Sequence, residues 1–211
     1  MTDQQIEQLI RTDRDLITEI VPEDSHVLDL GCGDGSLLAR LSEKKGVMGC
    51  GIDIDEDNLI KCVERGLSVS QDDLDDGLGD FLDFSYDYVI LNQTLQVINK
   101  PDKIIKEMLR VGRFGIVGFP NFGHWFLRMT LLFRGKMPRS KALPFEWYNT
   151  PNIHQLTIRD FKDYCLSENI SINHEEYFIA GKWRNSSLWH PYANMLALKG
   201  MFVIKGREEE K

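Results

Sequence analysis

Apolar residues Ile6, Leu9, Ile10, Ile17 and Ile20 recur at helical spacing at the start of the chain, with Asp13 as a polar intruder on the same face. This predicts an amphipathic helix, followed by a turn at Pro22–Ser25. The pattern then shortens. "HVLDL" (His26–Leu30) reads as a strand, and Ser36–Lys45 as a helix stopped by Gly46. The same alternation repeats: a strand at Val47–Ile54, a helix at Glu56–Arg65 closed by Gly66, and strands at Leu67–Gln71 and Tyr86–Asn92. A helix with proline in its first turn follows at Pro101–Val111, then a strand at Phe114–Phe119. Strands that alternate with helices pair in parallel through right-handed crossovers. Parallel strands are covered on both faces, so they read as near-continuous apolar runs, as these do.

After Phe119 the order changes. His124–Phe133 predicts an aromatic-rich helix, Ser140–Asn152 an irregular stretch and Ile158–Glu168 a helix. The last two strands, Ile170–Ile179 and Met201–Lys205, are close enough in chain order to pair antiparallel. The expected fold is α/β: a doubly wound, Rossmann-like, mostly parallel sheet with an antiparallel C-terminal strand. One domain is expected over 1–211, with an inserted segment at about 120–152.

Composition narrows the function classes. The 211 residues are 42% hydrophobic and 27% charged, an ordinary globular balance. A net charge of −8 argues against nucleic acid as a partner, because phosphate binding needs a basic footprint. The one locally basic piece, Arg134–Lys141, is too short to overturn that. Cys32, Cys50, Cys62 and Cys165 form no C-x-x-C pair, which argues against a zinc site, a redox motif or a disulfide framework. They read as inert thiols in a reducing cytoplasm. The polar N-terminus has no apolar signal core, and no apolar run approaches the ~20 residues that span a bilayer. A cytoplasmic protein without membrane attachment is expected. The charged tail Arg207–Lys211 is expected to fray.

The stretch "VLDLGCGDG" carries the candidate chemistry. Gly31, Gly33 and Gly35 give G-x-G-x-G rather than the dinucleotide fingerprint G-x-G-x-x-G. Asp29 ends the first strand, and a pyrophosphate on the adjacent helix terminus would face this carboxylate and be repelled. S-adenosylmethionine (SAM) has an ammonium, a sulfonium and no phosphate, so it suits an acid there. Asp53 closes the second strand, where an acid accepts hydrogen bonds from ribose hydroxyls. Asp73 follows the third strand and can accept from an adenine amine, with Leu74 offering a backbone N–H. Asn92 and Gln93 close the fourth strand near the methionyl end. Structural alternatives stay open: Asp29 as a helix cap, Asp53 and Asp55 as turn acids, Asp72 to Asp76 as a solvated loop.

"VLDLGCGDG", "GIDID", "QDDLD" and "YDYVILNQTLQ" resemble the successive motifs of class I SAM-dependent methyltransferases. The stretches "QTLQVINKPDKIIKEMLRVGRFGIVGFPNFGHW" and "RGKMPRSKALPFEWYNTPNIHQLTIRDF" resemble, more specifically, the methionine biosynthesis MetW family, from about Val21 to Phe161. The last fifty residues match more loosely. The resemblance implies a class I methyltransferase fold and SAM or S-adenosylhomocysteine as the cofactor. The implied cofactor-binding set is Asp29, Gly31, Cys32, Gly33, Gly35, Asp53, Ile54, Asp73, Leu74 and Asn92, with no metal. It also implies a partner, a homoserine O-acyltransferase that the protein activates. The alternative is an active SAM-dependent methyltransferase on an unidentified acceptor. For that role Asn121, His124, Glu146, Tyr148 and His154 are near enough in the chain to the fifth strand, with His124 and His154 as candidate bases. No Asn-Pro-Pro-Tyr motif follows the fourth strand. The inserted segment concentrates Phe122, Trp125, Phe126, Met129, Leu132 and Phe133, and suits either a cofactor lid or a protein-partner surface.

Overall fold

The structure, a computed structural model, describes residues 13–140, 143–185 and 190–206. The sheet contains β1 (His26–Leu30), β2 (Met48–Asp53), β3 (Ser68–Gln71), β4 (Tyr86–Asn92), β5 (Gly112–Pro120), β6 (Ile170–Ile179), β7 (Lys182–Asn185) and β8 (Lys199–Gly206). Its order is β3-β2-β1-β4-β5-β8-β6-β7. The first five strands pair in parallel, and β8 enters antiparallel between β5 and β6. The order reverses at β1, between β2 and β4, which is where open α/β sheets bind ligands beyond the carboxyl ends of their strands. The expected doubly wound α/β fold is the one observed.

The helices are α1 (13–20), α2 (Ser36–Lys45), α3 (Glu56–Glu64), α4 (Pro101–Val111), α5 (Trp125–Arg134), α6 (Ile158–Ser167) and α7 (Ala193–Leu196). Two apolar clusters cover the two faces. Leu28, Leu30, Val89, Leu91, Val117 and Phe119 point toward α4 and α6. Val27, Ile90, Ile116, Met201 and Val203 point toward α1 and α2. Successive strand residues thus alternate between two buried faces, which is why the strands read as unbroken apolar runs. The aromatic centre is Phe119, Phe161 and Phe202, with centroids 4.9–5.6 Å apart.

Most predicted boundaries hold to within two residues. Ile6, Leu9, Ile10 and the tail Arg207–Lys211 lie outside the described residues. His124 is the N-cap of α5 rather than its first turn. Two elements were not anticipated, β7 and α7. Ala180 and Gly181, at φ 51° and 82°, join β6 to β7 as a two-residue hairpin turn. Both central residues of such a turn need positive φ, and alanine in that role leaves no sequence signal.

Candidate functional site

Asp29 of β1 lies in register with Gly51 of β2 and Ile90 of β4, and Asp53 of β2 with Gln71 of β3. The pairing lines Asp29, Asp53 and Asn92 along the carboxyl edge of adjacent strands. The glycine loop crosses the same edge. Gly31, Gly33 and Gly35 all have left-handed backbone, at φ 72°, 54° and 71°. A Cβ on Gly31 would stand 2.6 Å from Thr94 Oγ1, and one on Gly35 2.7 Å from Cys62 Sγ, so packing excludes side chains at both. A Cβ on Gly33 would meet nothing within 4 Å. Gly33 therefore leaves room for close approach by something outside the chain.

Asp29 is 3% exposed, and among the described residues its carboxylate has no hydrogen-bond partner. The N-cap of α2 is Gly35, without a side-chain cap bond, so Asp29 is not a helix cap. Burial pushes its carboxyl up to about 7; Arg14 opposes the shift and the like charge of Asp53 adds to it. A buried acid without a partner is the costly arrangement that a cationic ligand relieves. Arg14 lies at the start of α1. Its Nη2 is 3.6 Å from Asp34 Oδ1, too far for a hydrogen bond. Asp34 is held elsewhere, by Arg65 Nη2 at 3.0 Å and the Ser36 backbone N–H at 3.2 Å.

Asp53 Oδ2 accepts the Gly33 N–H at 2.7 Å and Oδ1 the Asp55 N–H at 2.9 Å. It braces the glycine loop and keeps lone pairs free for hydroxyl donors. Asp55 itself caps α3, accepting from Asp57 and Asn58. Beside Asp53, Ile54 is 65% exposed, an apolar platform for a flat base. Asp73 is exposed and accepts the Asp75 N–H at 2.9 Å, a turn role, while Leu74 is half-buried against the core. Asp75 ties this loop to the start of α4 through Asn99 Nδ2 at 2.5 Å and the Lys100 N–H at 3.0 Å. Asn92 Oδ1 is buried without a partner, and a Cβ on Gly118 would collide with it. Cys32 is buried against Gly51, and burial pushes its thiol well above the usual range, so the thiol packs rather than reacts.

The two candidate bases have different surroundings. His124 Nδ1 accepts the Phe126 N–H at 3.2 Å as the cap of α5, and burial lowers its pKa. His154 lines a cavity of about 320 Å³ between α4 and α6, together with Leu95, Ile105 and Phe161. Its Nε2 is buried without a partner. Asn121 is committed to structure, donating to Ala197 O at 2.8 Å and accepting from Gly123 N at 2.9 Å. Glu146 pairs with Arg139 at 2.6 Å, and Tyr148 is 69% exposed. Sequence reasoning missed Arg14. The only signal was its place beside Asp13, the polar residue on an apolar helix face.

With this geometry in place, similarity becomes informative. The sequence profile of "Methionine biosynthesis protein MetW" matches residues 11–204. The chain belongs to the MetW family. It is 38% identical over 178 residues to a bifunctional methionine biosynthesis protein MetXA/MetW of Rhodopirellula baltica. That match covers 80% of this chain, which spans 29% of the relative's length. It is also 32% identical over 210 residues to a carboxy-S-adenosyl-L-methionine synthase of Shewanella woodyi, covering 91% of this chain and 83% of that protein. The fold matches a putative S-adenosylmethionine-dependent methyltransferase from Listeria monocytogenes at TM-score 0.67 and 15% identity, over 94% of this chain and 100% of that one. The fold is thus that of class I SAM methyltransferases. Among the described residues, no helix is long and apolar enough to cross a membrane.

Proposed function

We propose that this chain binds S-adenosylmethionine or S-adenosylhomocysteine in the crevice at Asp29, Gly31, Cys32, Gly33, Gly35, Asp53, Ile54, Asp73, Leu74 and Asn92. The observation that carries the reading is the nearly buried carboxylate of Asp29, unpartnered among the described residues, beside the open side of Gly33. A pyrophosphate has no place against that carboxylate, and an ammonium or sulfonium does. Asp53 supplies the acceptor for ribose hydroxyls, and Ile54 the apolar surface for adenine. The carboxy-SAM synthase relative accords with a ligand of this class.

In methionine biosynthesis the chain acts with a homoserine O-acyltransferase and activates it. The fused MetXA/MetW relative supports this, since fusion holds two partner units at high effective concentration. The inserted segment at about 120–152 of this single unit supplies the docking surface. Of α5, only Leu127 is buried, while Trp125, Phe126, Leu132 and Phe133 are 41–78% exposed. A lid would bury that apolar face; a partner surface leaves it open. Aromatic side chains of this kind form binding hot spots. The double variant Trp125→Ala/Phe126→Ala should fold, because neither residue is in the core, and should lose ~2 kcal/mol or more of association with the acyltransferase. Its SAM affinity should be retained. Retained association with lost SAM affinity would overturn the docking reading in favour of a lid, and with it favour a methyltransferase.

A further inference from the structure

We infer that the cavity between α4 and α6 is a second binding site, which takes a small primary amine with an apolar, ring-sized body, and that His154 recognises the amine. None of its lining residues belongs to the proposed cofactor set, so the inference stands apart from that reading.

The cavity is built into the fold. Its floor is core: Leu95, Ile105 and Phe161 are each 2–3% exposed. Its volume, about 320 Å³, falls where small-molecule sites begin, at about 300 Å³, and far exceeds the roughly 10–15 Å³ that one water requires. The chain segment 153–156 forms one wall and is fastened at both ends. Gln96 O accepts the Ile153 and His154 N–H groups at 2.8 and 3.0 Å, and Leu156 O accepts the Phe122 N–H at 3.1 Å. Thr157 and Asp160 then close a reciprocal capping box at the start of α6. Gln96 Nε2 donates to Gln93 O at 2.8 Å, which ties the wall to the end of β4.

Two buried polar atoms are left over where that wall meets Gln96. Gln96 is 5% exposed, yet its Oε1 has no partner among the described residues, and neither has the buried Nε2 of His154. Buried polar atoms are normally paired, and an ammonium brings three donors. The charge of the lining selects the same group. Asp102 and Asp160 both line the cavity, and no lysine or arginine among the described residues does. Each acid also lies in the first turn of its helix, where it suits the dipole, but that role does not require both to flank one cavity. The cations nearby in α4 face other groups: Lys103 donates to Asp76 O at 2.7 Å, and Lys106 pairs with Glu168 at 2.8 Å. Such a lining repels a carboxylate or phosphate and attracts a cation. Phe161 and Tyr164 offer ring surfaces to an apolar body.

The probes are phenethylamine, phenethyl alcohol and phenylpropionate, similar bodies with three different head groups, titrated by NMR into the isotope-labelled full chain. The amine should bind saturably and move the ring-nitrogen signals of His154. It should bind about 10-fold more tightly than the alcohol, the range of a charge-assisted hydrogen bond, with the carboxylate weakest. Leu156→Trp fills the cavity and leaves the backbone bonds in place; it should lose amine binding and keep cooperative thermal unfolding. His154→Phe keeps a ring and removes the nitrogen; its amine affinity should fall to that of the alcohol. Asp102→Asn should narrow the preference for amine over carboxylate by up to about 5-fold. Absence of saturable amine binding, equal binding of amine and carboxylate, or amine affinity unchanged in His154→Phe would overturn the proposal. So would amine binding that survives in a folded Leu156→Trp chain. If Leu156→Trp does not fold, the head-group order and His154→Phe decide alone.

Discussion

Asp29→Asn tests the site without any ligand present. The carboxyl of Asp29 is raised from 3.8 to about 7, chiefly by burial. Below pH 3.8 it is protonated in both folded and unfolded chains and contributes nothing to their difference. Between those values the folded chain keeps the proton and the unfolded chain loses it. Stability therefore falls with rising pH, at up to about 1.4 kcal/mol per pH unit. Above pH 7 the cost is complete, at about 4 kcal/mol as an order of magnitude. The amide of the Asp29→Asn variant removes this cost and leaves a buried unpaired donor in its place, worth about 1–3 kcal/mol. The variant should be about 1–3 kcal/mol more stable than wild type at pH 8, and no more stable at pH 5. Urea unfolding of both chains at pH 5, 6, 7 and 8 reads the difference directly. The same group predicts that wild-type SAM affinity weakens about tenfold from pH 8 to pH 6, because the ligand must find the ionised acid. Parallel stability curves for the two chains would refute the reasoning, and would mean that Asp29 is ionised throughout and already balanced by Arg14.

Gly31→Ala should cost about 2–4 kcal/mol, from left-handed backbone plus the collision with Thr94, and Thr94→Ala in that background should recover part of it in chemical denaturation. Gly33→Ala has the backbone cost alone, about 1–2 kcal/mol, yet its methyl enters the open side of the crevice. Its SAM affinity should fall by a larger factor than its stability, and unchanged affinity would remove Gly33 from the site. Asp53→Ala should lose about 1.5–3 kcal/mol of SAM binding in calorimetry, since its carboxylate is the proposed acceptor for ribose hydroxyls.

The fold was legible where burial enforces periodicity. β1, β4, α2 and α4 fall at the residues that their apolar spacing and glycine or proline ends predict. β7 and α7 were not legible, because each spans four residues and the hairpin turns on Ala180. The acidic edge of the site was readable, because Asp29 and Asp53 occupy ends of strands whose parallel order follows from the alternation. Their physical states were not. That Asp29 lacks a partner among the described residues while Asp53 braces Gly33 depends on three-dimensional placement. Asp13 was visible as an anomaly on an apolar face, but its partner Lys199 lies 186 residues away. No local pattern connects the two, and so Arg14 went unassigned. His124 was singled out by residue type, and its bond as the cap of α5 became visible only in three dimensions.

The most direct test of the account is calorimetric titration of the full chain with SAM, S-adenosylhomocysteine and NAD at pH 8. The account predicts saturable one-to-one binding of the first two, lost or strongly weakened in Asp29→Asn, and no binding of NAD. Absence of SAM binding, or NAD binding that survives Asp29→Asn, would contradict it.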